Sequence, residues 1–155
     1  MNAKRELYEE LARQARGLLA GEHDAIANAA NLSALIWQSL ADLNWAGFYF
    51  LKGRELVLGP FQGKPACVRI ALGSGVCGAA ATGAKTIVVP DVHAFAGHIA
   101  CDTQSNSELV APLIKDGRVL GVLDLDSPLL GRFDADDAAG IEALARTWVE
   151  ASDGA

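Results

Sequence analysis

The segment LVAPLIKDGRVLGVLDLD, residues 109–126, decides the fold class because it contains a complete β-hairpin. Its apolar first half leads into Asp116-Gly117, a dipeptide that favours the positive φ angles of a two-residue hairpin turn. Its returning half is apolar on both faces as far as Asp124, which is typical of a strand with neighbours on both sides. The segment therefore predicts an antiparallel pair with a central strand.

The flanking sequence predicts helices at both ends of the chain and further strands between them. Leu7, Leu11, Ala15 and Leu18 recur at helical spacing among polar residues, which predicts a helix at the N-terminus. The predicted elements are helices over 4–20, after Asp24, over 76–81 and after Asp134, and strands over 45–51, 55–61, 68–72 and 86–89. Residues 91–106 show no sustained periodicity and predict a long, partly helical surface loop. This order predicts an α+β domain, with N- and C-terminal helices packed on a mostly antiparallel sheet.

The composition limits the class of protein. The chain has 155 residues, of which 51% are apolar and 21% charged, which predicts one globular domain over residues 1–155. Its net charge of −6, with no stripe of Lys and Arg, argues against a nucleic-acid partner. The sequence shows no apolar stretch of membrane-spanning length and no signal peptide. We therefore expect a cytoplasmic protein whose thiols are kept reduced.

Three cysteines, Cys67, Cys77 and Cys101, are the first candidates for chemistry. Cys101 precedes the polar run 102–107, which favours a reactive, partly exposed thiol, although a free cysteine is commonly a small buried hydrophobe. Cys77 follows Gly73-Ser74-Gly75, where a helix N-terminus would stabilise a thiolate, but its apolar neighbours favour a core position. The residues around Cys67 point to no specific role.

A zinc site made of these cysteines with His93 or His98 is an alternative. Structural zinc sites usually take their ligands in close pairs, and this sequence has no such pair. The two histidines also lie near enough to Cys101 in sequence to stabilise a thiolate, but we interpret them as surface loop residues. The spacing therefore favours thiol chemistry over metal binding.

Acidic residues at the ends of the hairpin strands are the second set of candidates. Asp124 and Asp126 are two residues apart, so both point to one face of their strand, where apolar neighbours would raise their pKa values. The alternative is that the strand ends in solvent at Ser127-Pro128. A two-residue turn pairs Glu108 with Leu125, on the wrong face. A bulge near Pro112, or a different turn, is needed to bring Glu108 opposite Asp124 and complete a three-carboxylate pocket.

Two aromatic residues, Trp45 and Tyr49, fall on one face of the first predicted strand. The commoner role of such residues is packing against the sheet. The functional interpretation is a pocket wall in which Gly47, between them, leaves room for a ligand.

Six motifs together resemble the free methionine-(R)-sulfoxide reductases, which are single-domain enzymes of the GAF fold. The motifs are WAGFY at 45–49, LGPFQG at 58–63, GSGVCG at 73–78, VPDV at 89–92, HIACD at 98–102 and VLDLDS at 122–127. The resemblance extends over about residues 5–150, and its cysteines follow the order and spacing of that family. It implies a six-stranded antiparallel sheet and a homodimer.

The resemblance also implies a role for each candidate residue. Cys101 would be the catalytic cysteine, Cys67 the resolving cysteine, and Cys77 a third cysteine that can take part in disulfides. Glu108, Asp124 and Asp126 would be the pocket carboxyls, with Asp126 among the catalytic residues, and Trp45 and Tyr49 would surround the methyl-sulfoxide end of the substrate.

The implied reaction reduces free methionine-(R)-sulfoxide. A neutral carboxylic acid protonates the sulfoxide oxygen, Cys101 attacks sulfur and becomes a sulfenic acid, and Cys67 condenses with it to a disulfide. Thioredoxin then reduces the disulfide by exchange, with no metal or bound cofactor. A non-catalytic GAF sensor is the alternative, but a sensor usually stands beside an output domain, for which 155 residues leave no room.

Overall fold

The computed structural model describes residues 2–98 and 103–153, which form four α-helices, six β-strands and one 3-10 turn, Val92–Ala94. In chain order the helices and strands are α1 (Ala3–Leu19), α2 (Ala25–Ser39), β1 (Trp45–Lys52), β2 (Glu55–Gly63), β3 (Arg69–Ala71), α3 (Gly75–Gly83), β4 (Ile87–Val89), β5 (Ser107–Lys115), β6 (Arg118–Ser127) and α4 (Ala135–Ala151). Every predicted helix and strand is present, and the boundaries differ from the predicted ones by at most two residues.

The strands form one antiparallel sheet in the order β3-β2-β1-β6-β5-β4. The position of β6 between β1 and β5 confirms the central strand expected from its apolar sequence. Asp116 and Gly117 adopt φ angles of 52° and 77°, the conformation that a tight hairpin turn requires of both central residues. The α+β class with a six-stranded antiparallel sheet is therefore confirmed.

The β5–β6 pair contains a bulge that changes which residues face each other. Its register shifts between Leu113 and Ile114, because Leu120 is an extra residue in β6. Glu108 consequently faces Asp126 across the pair. Since side chains alternate between faces with a period of two, this shift by one residue moves Glu108 onto the face of both aspartates.

The expected position of this bulge was wrong, although a bulge was needed. An extra residue near Pro112 in β5 would have placed Glu108 opposite Asp124, whereas the extra residue in β6 places it opposite Asp126. Pro112 itself pairs with Val122 without a break in the register. The irregularity lies beyond this proline, towards the turn.

One face of the sheet is packed by α1, α2 and α4. Phe48 and Phe50 of β1 meet Trp148 of α4, with ring centroids 5.6 and 5.5 Å apart. The inward side of α1 consists of Tyr8, Leu11, Ala15 and Leu19. Of the four residues whose spacing predicted this helix, Leu11 and Ala15 face inward, whereas Leu7 and Leu18 are 42% and 45% exposed. The face is rotated because Tyr8 reaches inward to a buried aspartate of α4.

The N-terminus of α4 holds a group of charged residues that we call the cap cluster: Lys4, Tyr8, Arg132, Asp134 and Asp137. The Asp134 carboxylate caps the helix by accepting from the backbone N–H of Asp137 at 3.1 Å. The Asp137 carboxylate in turn accepts from the backbone N–H of Asp134 at 2.9 Å. The buried Asp137 carboxylate also accepts from Tyr8 at 2.7 Å, Lys4 at 2.8 Å and Arg132 at 3.4 Å. The cluster thereby joins α1 to α4.

The other face of the sheet is covered by α3, which packs on β5 and β6. Gly78 permits α3 to lie close to β3, because a Cβ atom there would stand 2.9 Å from the carbonyl oxygen of Ala71. The helices of the described residues include none with the length and apolar character of a membrane span.

Candidate active site

Three carboxyl groups, those of Glu108, Asp124 and Asp126, line one cavity on the face that α3 covers. The register explains this, because Glu108 faces Asp126 and Val110 faces Asp124 across the β5–β6 pair. Glu108 and Asp124 are only 6% and 5% exposed. The prediction that the two aspartates share a face is confirmed, and the alternative that the strand simply ends in solvent is wrong for Asp124.

Burial changes the acidity of two of these groups. Loss of solvation raises the pKa of Glu108 and that of Asp124 well above their ordinary values of 4.5 and 3.8. Neighbouring negative charge adds to the effect, from Asp124 on Glu108 and from Asp126 on Asp124. The raised pKa values mean that the cavity favours protonated carboxyl groups.

The carboxylate of Asp124 is only partly hydrogen-bonded within the described part of the chain. Its carboxylate accepts hydrogen bonds from Glu108 and from the Cys77 thiol. Its Oδ1 atom is buried and has no hydrogen-bond partner within the described part of the chain. No Lys or Arg stands among the described residues that line the cavity. A buried acceptor without a cation is suited to a ligand that supplies a positively charged donor.

An aromatic wall closes one side of the cavity. Trp45 and Tyr49 both line it, with ring centroids 5.7 Å apart and nearly parallel planes. Phe61 of β2 also stacks on Trp45, with ring centroids 5.2 Å apart. A Cβ atom at Gly47 would collide with Phe61, so Gly47 leaves room for this stacking. The interpretation that Gly47 leaves room for a ligand was wrong.

The wall is tied to the segment that carries Cys67. The hydroxyl of Tyr49 donates to the carbonyl oxygen of Cys67 at 2.9 Å, and the indole N–H of Trp45 donates to that of Lys64 at 3.2 Å. Pro65 and Ala66, next to Cys67, line the cavity. These bonds hold the Cys67 backbone beside the site.

The cysteines occupy different environments. Cys67 is half-buried and disulfide-bonded. Cys77, in the first turn of α3, is a buried free thiol that faces the cavity. Burial, followed by the charge of Asp124, raises the pKa of Cys77 well above its ordinary value. This shift is opposite to the one that a helix N-terminus would produce, and the 4% exposure of Cys77 agrees with the core interpretation. Cys101 lies outside the described residues.

His98, which the sequence led us to interpret as a surface loop residue, belongs to the cavity. His98 lines the cavity, and its side chain is 14% exposed. Its Nε2 atom lies 3.8 Å from Oε1 of Glu108. Burial and the charge of His93 lower the pKa of His98, while the pKa of Glu108 is raised, so we describe the pair as neutral groups in contact. His93 is exposed, as expected, and contacts Asn106 at 3.1 Å.

Ser74, Gly75 and Ser105 also line the cavity and were not predicted as site residues. Ser105 accepts a hydrogen bond from the Asn44 side chain at 3.0 Å, which connects the end of the long loop to the residue before β1. The position of His98 only three residues before Cys101 was the available signal for this edge of the site. Whether this proximity brings His98 into the site depends on the path of the loop, which sequence periodicity does not predict.

Comparisons with known proteins agree with this geometry. Residues 5–148 match the GAF domain family. The chain is 52% identical over 141 residues to the free methionine-R-sulfoxide reductase of Escherichia coli, covering 91% of this chain and 86% of that protein. The namesake protein of Saccharomyces cerevisiae is 47% identical, with 92% and 84% covered. The crystal structure of the Neisseria meningitidis reductase in complex with its substrate superposes with a TM-score of 0.93 at 44% identity, covering 97% of this chain and 91% of that chain.

Proposed function

We propose, from the premise that this chain belongs to the GAF domain family and to its free methionine-R-sulfoxide reductases, that it reduces free L-methionine-(R)-sulfoxide to methionine. The observation that carries the proposal is the cavity with three carboxyl groups, no Lys or Arg among its described lining residues, and an aromatic wall. The substrate has a matching cation, its free ammonium group, beside a compact methyl-sulfoxide end.

The ammonium group of the substrate would bind at Asp124. The unpartnered Oδ1 of this residue would accept a charge-assisted hydrogen bond from it. A methionine within a peptide has an amide nitrogen in place of this cation, so the same subsite would select the free amino acid. The rings of Trp45 and Tyr49 would contact the methyl group, because sulfur and methyl groups pack favourably on aromatic surfaces.

Glu108 would protonate the sulfoxide oxygen. Its raised pKa favours the protonated carboxyl group, the state that a proton donor needs. It shares a hydrogen bond with Asp126, which is half-buried and therefore nearer to solvent. Asp126 would return the proton to Glu108 after each turnover, which places it among the catalytic residues.

The thiol steps would follow the chemistry of sulfenic acids. Cys101 attacks the protonated sulfoxide sulfur, its oxygen passes to the cysteine sulfur, and methionine and a Cys101 sulfenic acid remain. The Cys67 thiol condenses with the sulfenic acid, releasing water and forming an intramolecular disulfide. The disulfide-bonded state of Cys67 and the free state of Cys77 support Cys67 as the main resolving cysteine. A dithiol protein such as thioredoxin then reduces the disulfide by exchange.

The test is turnover of free L-methionine-(R)-sulfoxide by purified protein, with thioredoxin recycling measured as NADPH oxidation. We expect wild type to turn over, Cys101→Ser to be inactive, and Cys67→Ser to release about one methionine per chain and then stop, because its sulfenic acid is not resolved. N-acetylmethionine sulfoxide, which lacks the cation, is the matched control substrate and should react poorly. Absence of turnover in the reduced wild-type protein would refute the proposal.

The remaining expectations for this function are a homodimer, a single catalytic domain and a cytoplasmic location. Light scattering during size-exclusion chromatography measures the first directly. A mass of one chain at working concentrations would contradict the dimer without affecting the proposed reaction.

A further inference from the structure

The innermost part of the cavity contains a group of side chains that combine sulfur and oxygen donors. The Sγ atom of Cys77 and carboxylate oxygens of Glu108 and Asp124 lie within 4.8 Å of one another, and all three residues are buried. They come from α3, β5 and β6, so three packed elements hold them in place. The reaction proposed above uses Glu108 and Asp124 but assigns no task to the Cys77 thiol.

We propose that Cys77, Glu108 and Asp124 form a binding site for a divalent transition metal ion, of which Zn²⁺ is the best match. Zn²⁺ takes thiolate and carboxylate ligands in four-coordinate geometry, and one thiolate with two carboxylates supplies three of the four positions. His98 is the neighbouring residue that could supply the remaining ligand, since its Nε2 atom lies 3.8 Å from Glu108 Oε1.

Two independent observations support a cation here. The Oδ1 atom of Asp124 is buried without a hydrogen-bond partner within the described residues, so the protein leaves an acceptor for a ligand at the centre of the group. In addition, no Lys or Arg stands among the described lining residues to neutralise the carboxylates. A site of this composition is open to a metal ion as well as to an ammonium group.

Metal binding would have a functional consequence, which rests on the proposed function. The same Asp124 oxygen would accept either Zn²⁺ or the substrate ammonium group, and a metal-bound Glu108 is ionised and cannot donate a proton. Zn²⁺ would therefore inhibit the reductase by competing with substrate, and a chelator would restore activity. Metal binding itself does not depend on that function.

The test uses two variants that differ by one side-chain atom. The Cys67→Ser/Cys101→Ser protein retains Cys77 as its only thiol, and a triple variant adds Cys77→Ser. In calorimetric titration with Zn²⁺ we expect one ion per chain in the double variant and affinity lower by about 100-fold or more in the triple variant. With Co²⁺, the double variant should show thiolate-to-metal charge-transfer absorption that the triple variant lacks.

If Cys77→Ser perturbs α3, Asp124→Asn in the double variant tests the same site through a different ligand. This change should also weaken Zn²⁺ binding strongly. His93→Ala, which removes an exposed histidine, is the matched control and should leave the affinity unchanged. Equal Zn²⁺ affinity with and without Cys77, or no charge-transfer band with Co²⁺, would overturn the metal site. Failure of the proposed reaction would instead appear as absent turnover in metal-free protein, so the two failures are distinguishable.

Discussion

The cap cluster and the cavity each contain a buried aspartate, but the two carboxylates are partnered in opposite ways. In the cap cluster, the Asp137 side chain is 1% exposed and bonds two cationic side chains, Lys4 and Arg132. In the cavity, Asp124 is 5% exposed, has a buried oxygen without a partner among the described residues, and lies where no Lys or Arg lines the wall. A buried carboxylate that the protein neutralises is structural, whereas one that it leaves without a cation is available to a ligand.

The titration of the two groups reflects the same contrast. In the cap cluster, a hydrogen bond from Lys4 lowers the pKa of Asp134 to about 2. In the cavity, burial raises the pKa of Glu108 and that of Asp124. Asp134 thus contributes to folding as an anion, whereas Glu108 and Asp124 are more easily buried when protonated.

The largest expected effect is on catalysis, from Asp124→Asn. The change keeps the size of the side chain but removes the charge proposed to bind the substrate ammonium group. We expect kcat/KM to fall by about 100-fold, equivalent to roughly 3 kcal/mol, with little loss of folding stability. Steady-state kinetics and urea unfolding of the same preparation measure both quantities. A variant with normal kcat/KM would remove Asp124 from the ammonium subsite.

The next effect is on stability, from Asp137→Ala in the cap cluster. The change leaves Lys4, Arg132 and the Tyr8 hydroxyl without their shared acceptor. We expect the free energy of unfolding to fall by about 2–3 kcal/mol, below the larger values for fully buried pairs because both cations are partly exposed. Activity per folded molecule should be unchanged. Urea unfolding measures this change. A loss of activity without a loss of stability would contradict the structural role of Asp137.

The smallest effect is on the pH dependence of stability. A carboxyl group whose pKa is raised in the folded state contributes most below its ordinary pKa, and this contribution is lost as pH rises through the folded-state value. Glu108→Gln should therefore gain stability relative to wild type as pH rises above the ordinary value of 4.5. Asp134 has a lowered pKa, so its contribution is present above 3.8 and is lost as pH falls towards about 2.

Thermal unfolding across this pH range, with Asp134→Asn as the matched variant, measures both trends. Asp134→Asn should show its deficit at neutral pH and lose it in acid, the opposite direction to Glu108→Gln. Parallel curves for the two variants would contradict the assignment of opposite roles.

Much of the fold was predictable because its signals are local. The turn at Asp116-Gly117, the caps Asp24 and Asp134, and the alternation along the strands depend on residues near one another in sequence. The apolar spacing that predicted α1 does not include Tyr8, which faces inward and donates to Asp137, a residue 129 positions away. Apolar spacing alone does not include such a partner.

The residue types of the candidate site were evident from the motifs, but their arrangement was not. Aromatic residues, cysteines and acids, which follow in that order along the chain, indicate thiol chemistry with a proton donor. Their convergence depends on one extra residue, Leu120, because a period of two makes a shift by one residue decide which face Glu108 occupies. The absence of Lys and Arg from the described lining around Asp124 depends on chain segments far apart in sequence, and the approach of His98 to Glu108 depends on the path of the loop between them. Both are therefore properties of the packed molecule.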